Sequence, residues 1–242
     1  MGLCLEYSHL LVCILRTAGI IAHTKGRPDH AYVIAEIGEG KYRLDAARLR
    51  FELTTDSAST DLESISYHYV NKGKALSAQL RLDESVVALD LSLELNPYLA
   101  EAWTNKGIAL GEQGQADEAI RLFNKALEIN PDFSNAWFNK GNALFMQGNF
   151  DKAIDAYDKA LQLNPRQANA WLNRGATLAK QGKLSEAIKS YNKALKIRPK
   201  YAEAIQKKGE ALIGQGKLGA AKKCFNQARR IKKKEVFPFL YI

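Results

Sequence analysis

Three residues near the N-terminus have the types needed for thiol chemistry: Cys4, His30 and Asp45. A cysteine thiolate attacks an amide carbonyl when a histidine serves as its base and a carboxylate orients that histidine. A helix predicted from about Leu3 to Ala18 places Cys4 in its first turn, where the helix dipole favours the thiolate. The three residues are therefore a candidate catalytic triad of a thiol enzyme.

A predicted β-hairpin positions the other two members of this triad. Its strands are expected at 30–37 and 41–45, joined by a glycine-containing turn. With a two-residue turn, Asp45 lies opposite Tyr32 and is a diagonal neighbour of His30 on the same face of the sheet. The hairpin register therefore brings the predicted base close to its predicted orienting group.

The same segment resembles the transglutaminase-like, papain-related superfamily. The resemblance is carried by Gly2-Leu3-Cys4, the run from Leu15 to His23, His30-Ala31-Tyr32-Val33 and Leu44-Asp45-Ala46. It implies that Cys4 is the nucleophile, His30 the base and Asp45 the orienting group. Residues 1–55 are thus expected to be a partial transglutaminase-like segment, a helix plus a β-hairpin, followed by a linker at 56–65. The alternative is a structural module without activity.

A period of 34 residues governs the rest of the chain. Trp103, Trp137 and Trp171 are 34 residues apart, and the same spacing relates five glycines, Gly73, Gly107, Gly141, Gly175 and Gly209. Apolar residues at helical spacing on both sides of the Gly148-Asn149 break predict two antiparallel helices per unit. Since one helix pair leaves an apolar face uncovered, the units are expected to stack on one another.

Small and basic residues recur together in each unit. Gly141 and Ala153 are predicted where the paired helices approach most closely, because a larger side chain would push them apart. A basic residue precedes each of the five glycines: Lys72, Lys106, Lys140, Arg174 and Lys208. The aliphatic stems of these side chains are expected to pack while their charged ends stay in water.

The repeated pattern resembles the tetratricopeptide repeat (TPR) family, whose units read W-x2-L-G-x2-Y, then A-x3-F, then P. The units are 66–99, 100–133, 134–167, 168–201 and 202–235, with a C-terminal tail at 236–242. The resemblance implies a mainly α fold, a TPR α-solenoid in which antiparallel helix pairs form a right-handed superhelix, after the small N-terminal α+β segment. It also implies a scaffold that binds a protein or peptide ligand in a concave groove lined by the first helix of each pair.

Candidate binding residues occupy the positions that face the groove in that family: Asn71, Asn105, Phe138, Asn139, Asn142, Asn173, Lys180 and Lys207. Four of the asparagines share one phase of the repeat and are expected to form a ladder of amides for an extended peptide backbone. The alternative is that these amides bond within the array. Lysine is missing from the fifth position of the units, which disfavours the clamp that holds a C-terminal carboxylate in some members of the family.

Positive charge is concentrated in the last third of the chain. The formal net charge is +9, with 17 basic and 22 acidic residues before position 168 and 18 basic and 4 acidic residues after it. An outward stripe is expected from Lys189, Lys193, Lys196, Lys223 and Arg230. A solvated face is the favoured interpretation, and nucleic acid or an anionic surface is a less favoured partner because no aromatic residues alternate with the charges.

The overall composition is typical of a folded globular protein, with 242 residues, 46% hydrophobic and 25% charged. Three scattered cysteines indicate neither a disulfide framework nor a zinc site and fit a cytoplasmic, reducing compartment. No cofactor or metal is implied, and no apolar run reaches the 18 or so residues of a transmembrane helix. The sequence predicts a protein-interaction scaffold, with a thiol enzyme whose repeats recruit its substrate as the alternative.

Overall fold

The computed structural model describes the backbone of residues 21–27, 30–37, 40–45 and 56–236, and the side chains of residues 63–232. By its backbone contacts the chain divides into two compact units, Met1–Ala109 and Leu110–Ile242. Antiparallel helix pairs make up most of the described residues in both units, as the sequence predicts.

The first unit contains a three-stranded antiparallel sheet of β1 (Ile21–Arg27), β2 (His30–Ile37) and β3 (Gly40–Asp45), in that order. The predicted hairpin is β2 and β3, and Asp45 lies opposite Tyr32 as expected. The strand β1, which pairs with β2, was not predicted. The helix predicted at residues 3–18 lies outside the described residues.

Along the chain, the described helices alternate as first and second helices of the five repeats. The first helices of the pairs are α1 (Asp56–Ala78), α3 (Ala100–Glu112), α5 (Ser134–Met146), α7 (Ala168–Lys180) and α9 (Ala202–Gly214). The second helices are α2 (Leu82–Leu95), α4 (Ala116–Ile129), α6 (Phe150–Leu163), α8 (Leu184–Ile197) and α10 (Leu218–Val236). Residues 56–65, expected to be a linker, lie within α1. From α4 to α10, each helix packs against the next.

Glycines with left-handed backbone conformation connect the two helices of most pairs. Gly114, Gly148, Gly182 and Gly216 have φ between 74° and 83°. After Gly148, the Asn149 amide donates to the Leu144 carbonyl at 2.9 Å, which satisfies an otherwise free carbonyl at the helix end. The first pair departs from this rule because Leu80 occupies the same position with φ of 60°.

The helix glycines allow a bulky side chain of the second helix to reach the backbone of the first. A Cβ atom placed on Gly141 would lie 2.6 Å from Tyr157 Cε1, and one on Gly175 would lie 2.6 Å from Tyr191 Cε1. Both tyrosines are about 1% exposed. The close approach predicted at Gly141 is therefore confirmed, and the aromatic ring of the second helix is its cause.

The tryptophan that recurs in three repeats also fixes the loop that precedes its helix. The indole N–H of Trp137 donates to the Pro131 carbonyl at 2.9 Å, and that of Trp171 donates to the Pro165 carbonyl at 3.0 Å. In the first unit the Trp103 indole donates to the Pro97 carbonyl in the same way, at 2.8 Å. The tryptophans therefore tie α3, α5 and α7 to the loops that precede them.

Serines replace two small alanines in the first pair, and their hydroxyl groups are hydrogen-bonded across the pair. Ser92 Oγ donates to the Ser66 carbonyl at 2.9 Å, and Ser85 Oγ donates to the Gly73 carbonyl at 2.8 Å. Both serines are fully buried. These bonds satisfy polar groups whose burial would otherwise be costly.

Two of the basic residues that precede the helix glycines form ion pairs. Lys106 Nζ lies 2.5 Å from Asp90 Oδ1, and Arg174 Nε lies 2.6 Å from Asp158 Oδ1. The exposed fractions of these two basic side chains are only 19% and 20%. These values agree with packed stems, and a carboxylate of the preceding second helix forms an ion pair with each charged end.

Candidate functional site on the first-helix face

All eight predicted groove residues lie on first helices. They are Asn71 on α1, Asn105 on α3, Phe138, Asn139 and Asn142 on α5, Asn173 and Lys180 on α7, and Lys207 on α9. None of them is fully buried. We describe the two compact units separately.

In the first unit, an ion pair joins α1 to α3. Lys74 Nζ lies 3.1 Å from Glu101 Oε1. Asn71 is exposed, while the Asn105 amide donates to the Glu101 carbonyl of its own helix at 2.8 Å. This end of the face is therefore polar and charged.

In the second unit, two groove asparagines and a tyrosine form a hydrogen-bonded cluster. Asn173 Nδ2 donates to Asn142 Oδ1 at 2.8 Å, and the Tyr157 hydroxyl donates to the same oxygen at 2.9 Å. Burial raises the pKa of the Tyr157 hydroxyl, so that it remains a donor. The cluster joins α5, α6 and α7 through a single amide oxygen.

A pocket of about 230 Å³ opens beside this cluster. We call it the α5–α7 pocket, and its lining residues are Asn142, Phe145, Met146, Tyr157, Asn173 and Ala176. Phe138 supports it from α5, with its ring centroid 6.0 Å from that of Tyr157. The pocket thus combines apolar walls with two amides and a tyrosine hydroxyl, which suits binding.

The four asparagines of the predicted ladder do not share one arrangement. The Asn105 and Asn139 amides donate to carbonyls four residues earlier on their own helices, at 2.8 Å in both cases. Asn173 donates to Asn142 instead, and Asn71 is exposed. Three of the four therefore match the alternative in which these amides bond within the array.

The two predicted lysines differ from each other. Lys180 is exposed in the last turn of α7. Lys207 Nζ lies 3.0 Å from Glu210 Oε2, so its charge is partly neutralised on its own helix. Lys180 is therefore the better placed of the two to meet a negatively charged ligand.

Sequence reasoning missed Tyr157 as a pocket residue because it belongs to a second helix. Its phase in the repeat matches Tyr191, which packs under a glycine, and this phase indicates a core position. The signal that Tyr157 also reaches the groove side lies in its hydroxyl, which needs a polar partner when buried. Asn142 supplies that partner.

Most of the candidate thiol site lies outside the residues that the structure describes. Cys4 lies outside the described residues, and for His30 and Asp45 only the strand positions on β2 and β3 are described. Their diagonal register agrees with the expectation. The catalytic assignment of Cys4, His30 and Asp45 stays a prediction.

The basic residues of the predicted outward stripe are all exposed: Lys189, Lys193, Lys196, Lys223 and Arg230. Within the described side chains, none of them forms an ion pair. This arrangement agrees with a solvated face. No helix among the described residues is long and apolar enough to cross a membrane.

Comparisons with known proteins agree with the repeats of 34 residues. Two family models described as tetratricopeptide repeat match the chain, one at residues 69–132, 104–168 and 138–202 and the other at 178–236. These matches begin after the N-terminal segment and give no support to its transglutaminase-like resemblance or to the thiol-enzyme alternative. No curated protein matches the chain.

Solved structures of similar fold include several repeat proteins. A crystal structure of MamA is 27% identical, with a TM-score of 0.61, and the match covers 68% of this chain and 96% of MamA. MamA from Desulfovibrio magneticus RS-1 is 20% identical, with a TM-score of 0.62 and coverage of 70% and 96%. YrrB, described as a TPR protein with an unusual peptide-binding site, is 23% identical, with a TM-score of 0.56 and coverage of 69% and 87%.

The matched repeats account for more than half of the chain, and the helix pairs of the structure have the same period. Stacked repeats of this kind present extended surfaces that bind other proteins. The repeats are a scaffold for protein–protein interaction, and the chain belongs to the tetratricopeptide repeat family.

Proposed function

We propose that the first-helix face of residues 134–180 binds an extended peptide segment of a partner protein. An apolar side chain of the peptide enters the α5–α7 pocket, and the asparagine amides bind the peptide backbone. The observation that carries the proposal is that two predicted groove residues, Asn142 and Asn173, line an apolar pocket together.

The size and lining of the pocket suit one side chain. Its volume of about 230 Å³ is several times the roughly 30 Å³ of one water molecule in the liquid. Phe145, Met146 and Ala176 supply apolar walls, and Met146 is 67% exposed at the rim. Methionine adapts to ligands of different shape, which suits a site that accepts more than one apolar side chain.

The amide cluster leaves defined groups for a peptide backbone. Asn142 Oδ1 already accepts from Tyr157 and Asn173, so Asn142 offers its two N–H donors to a peptide carbonyl. Asn173 keeps its Oδ1 acceptor and one N–H donor. A backbone N–H and a backbone carbonyl can therefore both be bound beside the pocket.

Peptides selected from a random displayed library on the full chain provide the test. Met146→Glu places a charge at the pocket rim, and Asn142→Ala combined with Asn173→Ala removes the backbone contacts. We expect each change to weaken the selected peptides at least tenfold, while Lys189→Ala, on the exposed surface of α8, leaves binding within twofold. Thermal melts check that each variant is folded.

Two results would contradict the proposal. One is that the selected peptides bind Met146→Glu and the asparagine double variant as well as they bind the unmodified chain. The other is that they depend on Lys189 instead.

The proposal also places the scaffold in the cytoplasm, because three cysteines scattered over 242 residues fit a reducing compartment.

A further inference from the structure

From the second repeat onward, the residue sixteen positions before the basic residue that precedes the helix glycine lies on the preceding second helix. In two repeats that residue is an aspartate, and the ion pairs Lys106–Asp90 and Arg174–Asp158 result. In the repeat between them, the corresponding pair is Lys140 and Asn124. An amide therefore stands where the neighbouring repeats have a carboxylate.

Among the described side chains, Lys140 is a half-buried cation that has no carboxylate partner. Its ammonium group lies 4.9 Å from the centroid of the Trp137 ring, which is its one described polar or aromatic partner. Burial lowers the pKa of Lys140, as expected for a charge that has lost water without gaining a counter-ion. Asn124 likewise has no hydrogen bond from its side chain among the described residues.

A pocket of about 690 Å³ lies over these two side chains. We call it the Lys140 pocket, and it is formed by α4, α5 and α6, with Asn124, Trp137 and Lys140 among its lining residues. It shares no lining residue with the α5–α7 pocket. It is thus a second concave site, separate from the proposed peptide site.

The charges around the Lys140 pocket favour an anion. Lys152 and Lys159 line it together with Lys140, and the lining carboxylates are Asp155 and Asp158. Asp158 is already neutralised by Arg174, whose Nε and Nη2 donate to its two carboxylate oxygens at 2.6 and 3.2 Å. Three lysines therefore face one uncompensated aspartate.

We propose that the Lys140 pocket binds the carboxylate of an aspartate or glutamate side chain from an acidic segment of a partner protein. That carboxylate takes the place that Asp90 and Asp158 occupy in the neighbouring repeats. The Lys140 ammonium and the Asn124 amide donate to it, while Lys152 and Lys159 attract the rest of the acidic segment. The pocket gives the scaffold a second contact that is independent of the peptide groove.

A hexaglutamate peptide and a hexaglutamine control are the probes for this site. Each is titrated into the full, isotope-labelled chain, and NMR follows the Trp137 indole N–H and the Lys140 side-chain methylene next to its nitrogen. We expect saturable shifts with hexaglutamate, weakened by added salt, and at least tenfold weaker binding of hexaglutamine.

Asn124→Asp is the decisive variant, because it reproduces within the chain the arrangement of the Asp90 and Asp158 repeats. It should keep the fold and weaken hexaglutamate binding at least tenfold, and Lys140→Gln should do the same. Asn192→Asp makes the same change in charge outside the pocket and should leave the shifts at Trp137 within twofold of the unmodified chain.

The proposal is overturned if hexaglutamate gives no saturable shift at Trp137 or Lys140, or if hexaglutamine binds equally well. It is also overturned if Asn124→Asp, shown to be folded by its melt, binds as tightly as the unmodified chain. Displacement of hexaglutamate by inorganic phosphate at a lower concentration than by acetate would assign the pocket to phosphate and reject a carboxylate ligand.

Discussion

Gly141 and Tyr157 are in contact so close that the glycine has no room for a side chain. A Cβ atom on Gly141 would lie 2.6 Å from Tyr157 Cε1 and 2.7 Å from Cδ1. Because Tyr157 also donates to Asn142 beside the α5–α7 pocket, this contact links the packing of a helix pair to the proposed binding site.

Gly141→Ala should destabilise the chain by about 1–3 kcal/mol, the usual cost of overpacking a core. Urea unfolding measures the change. Gly219→Ala is the matched control, since a Cβ atom there meets nothing within 4 Å. Without a steric clash, alanine in a helix should be neutral or stabilising. Equal effects of the two changes would refute the role of the contact with Tyr157.

Leu80→Gly should stabilise the first helix pair by about 0.5–1 kcal/mol, because leucine is strained at positive φ and glycine is not. Leu80 has φ of 60° and is 78% exposed, so little packing is lost. The change is read from the free energy of unfolding.

Gly148→Ala tests the same conformation in the opposite direction. Gly148 has φ of 76° and open space around it, so any loss of stability comes from the backbone alone. We expect a loss of about 1 kcal/mol. A gain in stability from Gly148→Ala would contradict this account of the turns.

The Arg174–Asp158 ion pair should contribute about 1 kcal/mol, since the Arg174 side chain is 20% exposed and its guanidinium contacts both carboxylate oxygens. Asp158→Asn measures this contribution by urea unfolding. The matched control is Glu84→Gln, which breaks the exposed Arg81–Glu84 pair on the protein surface. A loss at Asp158 no larger than the loss at Glu84 would argue against a structural role for the pair.

Stability should fall as the pH rises above 10. Burial raises the pKa of Tyr69 from 10.0 to about 12, and the pKa values of Tyr157 and Tyr191 are raised in the same way. In that range the unfolded chain releases these protons while the folded chain retains them, so the free energy of unfolding decreases until the folded groups also ionise.

Unfolding by urea at several pH values, with phenolate absorbance as a second readout, checks this expectation. Tyr157→Phe removes one resistant hydroxyl and should make the decline above pH 10 shallower. Lysines titrate in both proteins and cancel in the comparison. An unchanged slope would mean that Tyr157 does not contribute.

The period of 34 residues predicted the features that every repeat shares. Gly141 and Gly148 have the positions and roles expected from their phase, and the helix pairs follow from the same pattern. The groove residues were placed on the correct helices, but their hydrogen-bond partners were not foreseen. Asn139 and Asn173 share a phase and yet bond differently. Asn173 reaches Asn142 of the preceding repeat, and only the third repeat has an asparagine at the position of Asn142.

The features that alternate between repeats were not predicted. A carboxylate at Asp90 or Asp158 and an amide at Asn124 decide whether the facing cation is paired, and this requires knowing which residues of adjacent helices meet. Once the contact is known, the spacing of sixteen residues is visible in the sequence. The strand β1 was missed because it ends in Lys25, Gly26 and Arg27, which do not show the alternation of apolar and polar residues typical of a strand.

The indole hydrogen bonds of the tryptophans allow local unfolding to be measured repeat by repeat. Trp137 and Trp171 each donate to a proline carbonyl of the preceding loop, and each indole N–H is a separate resonance. The rate at which each of these protons exchanges with deuterium therefore reports the local unfolding of its own repeat. If unfolding spreads from one end of the chain, the two indole protons should exchange at different rates, whereas a concerted transition should give them the same rate.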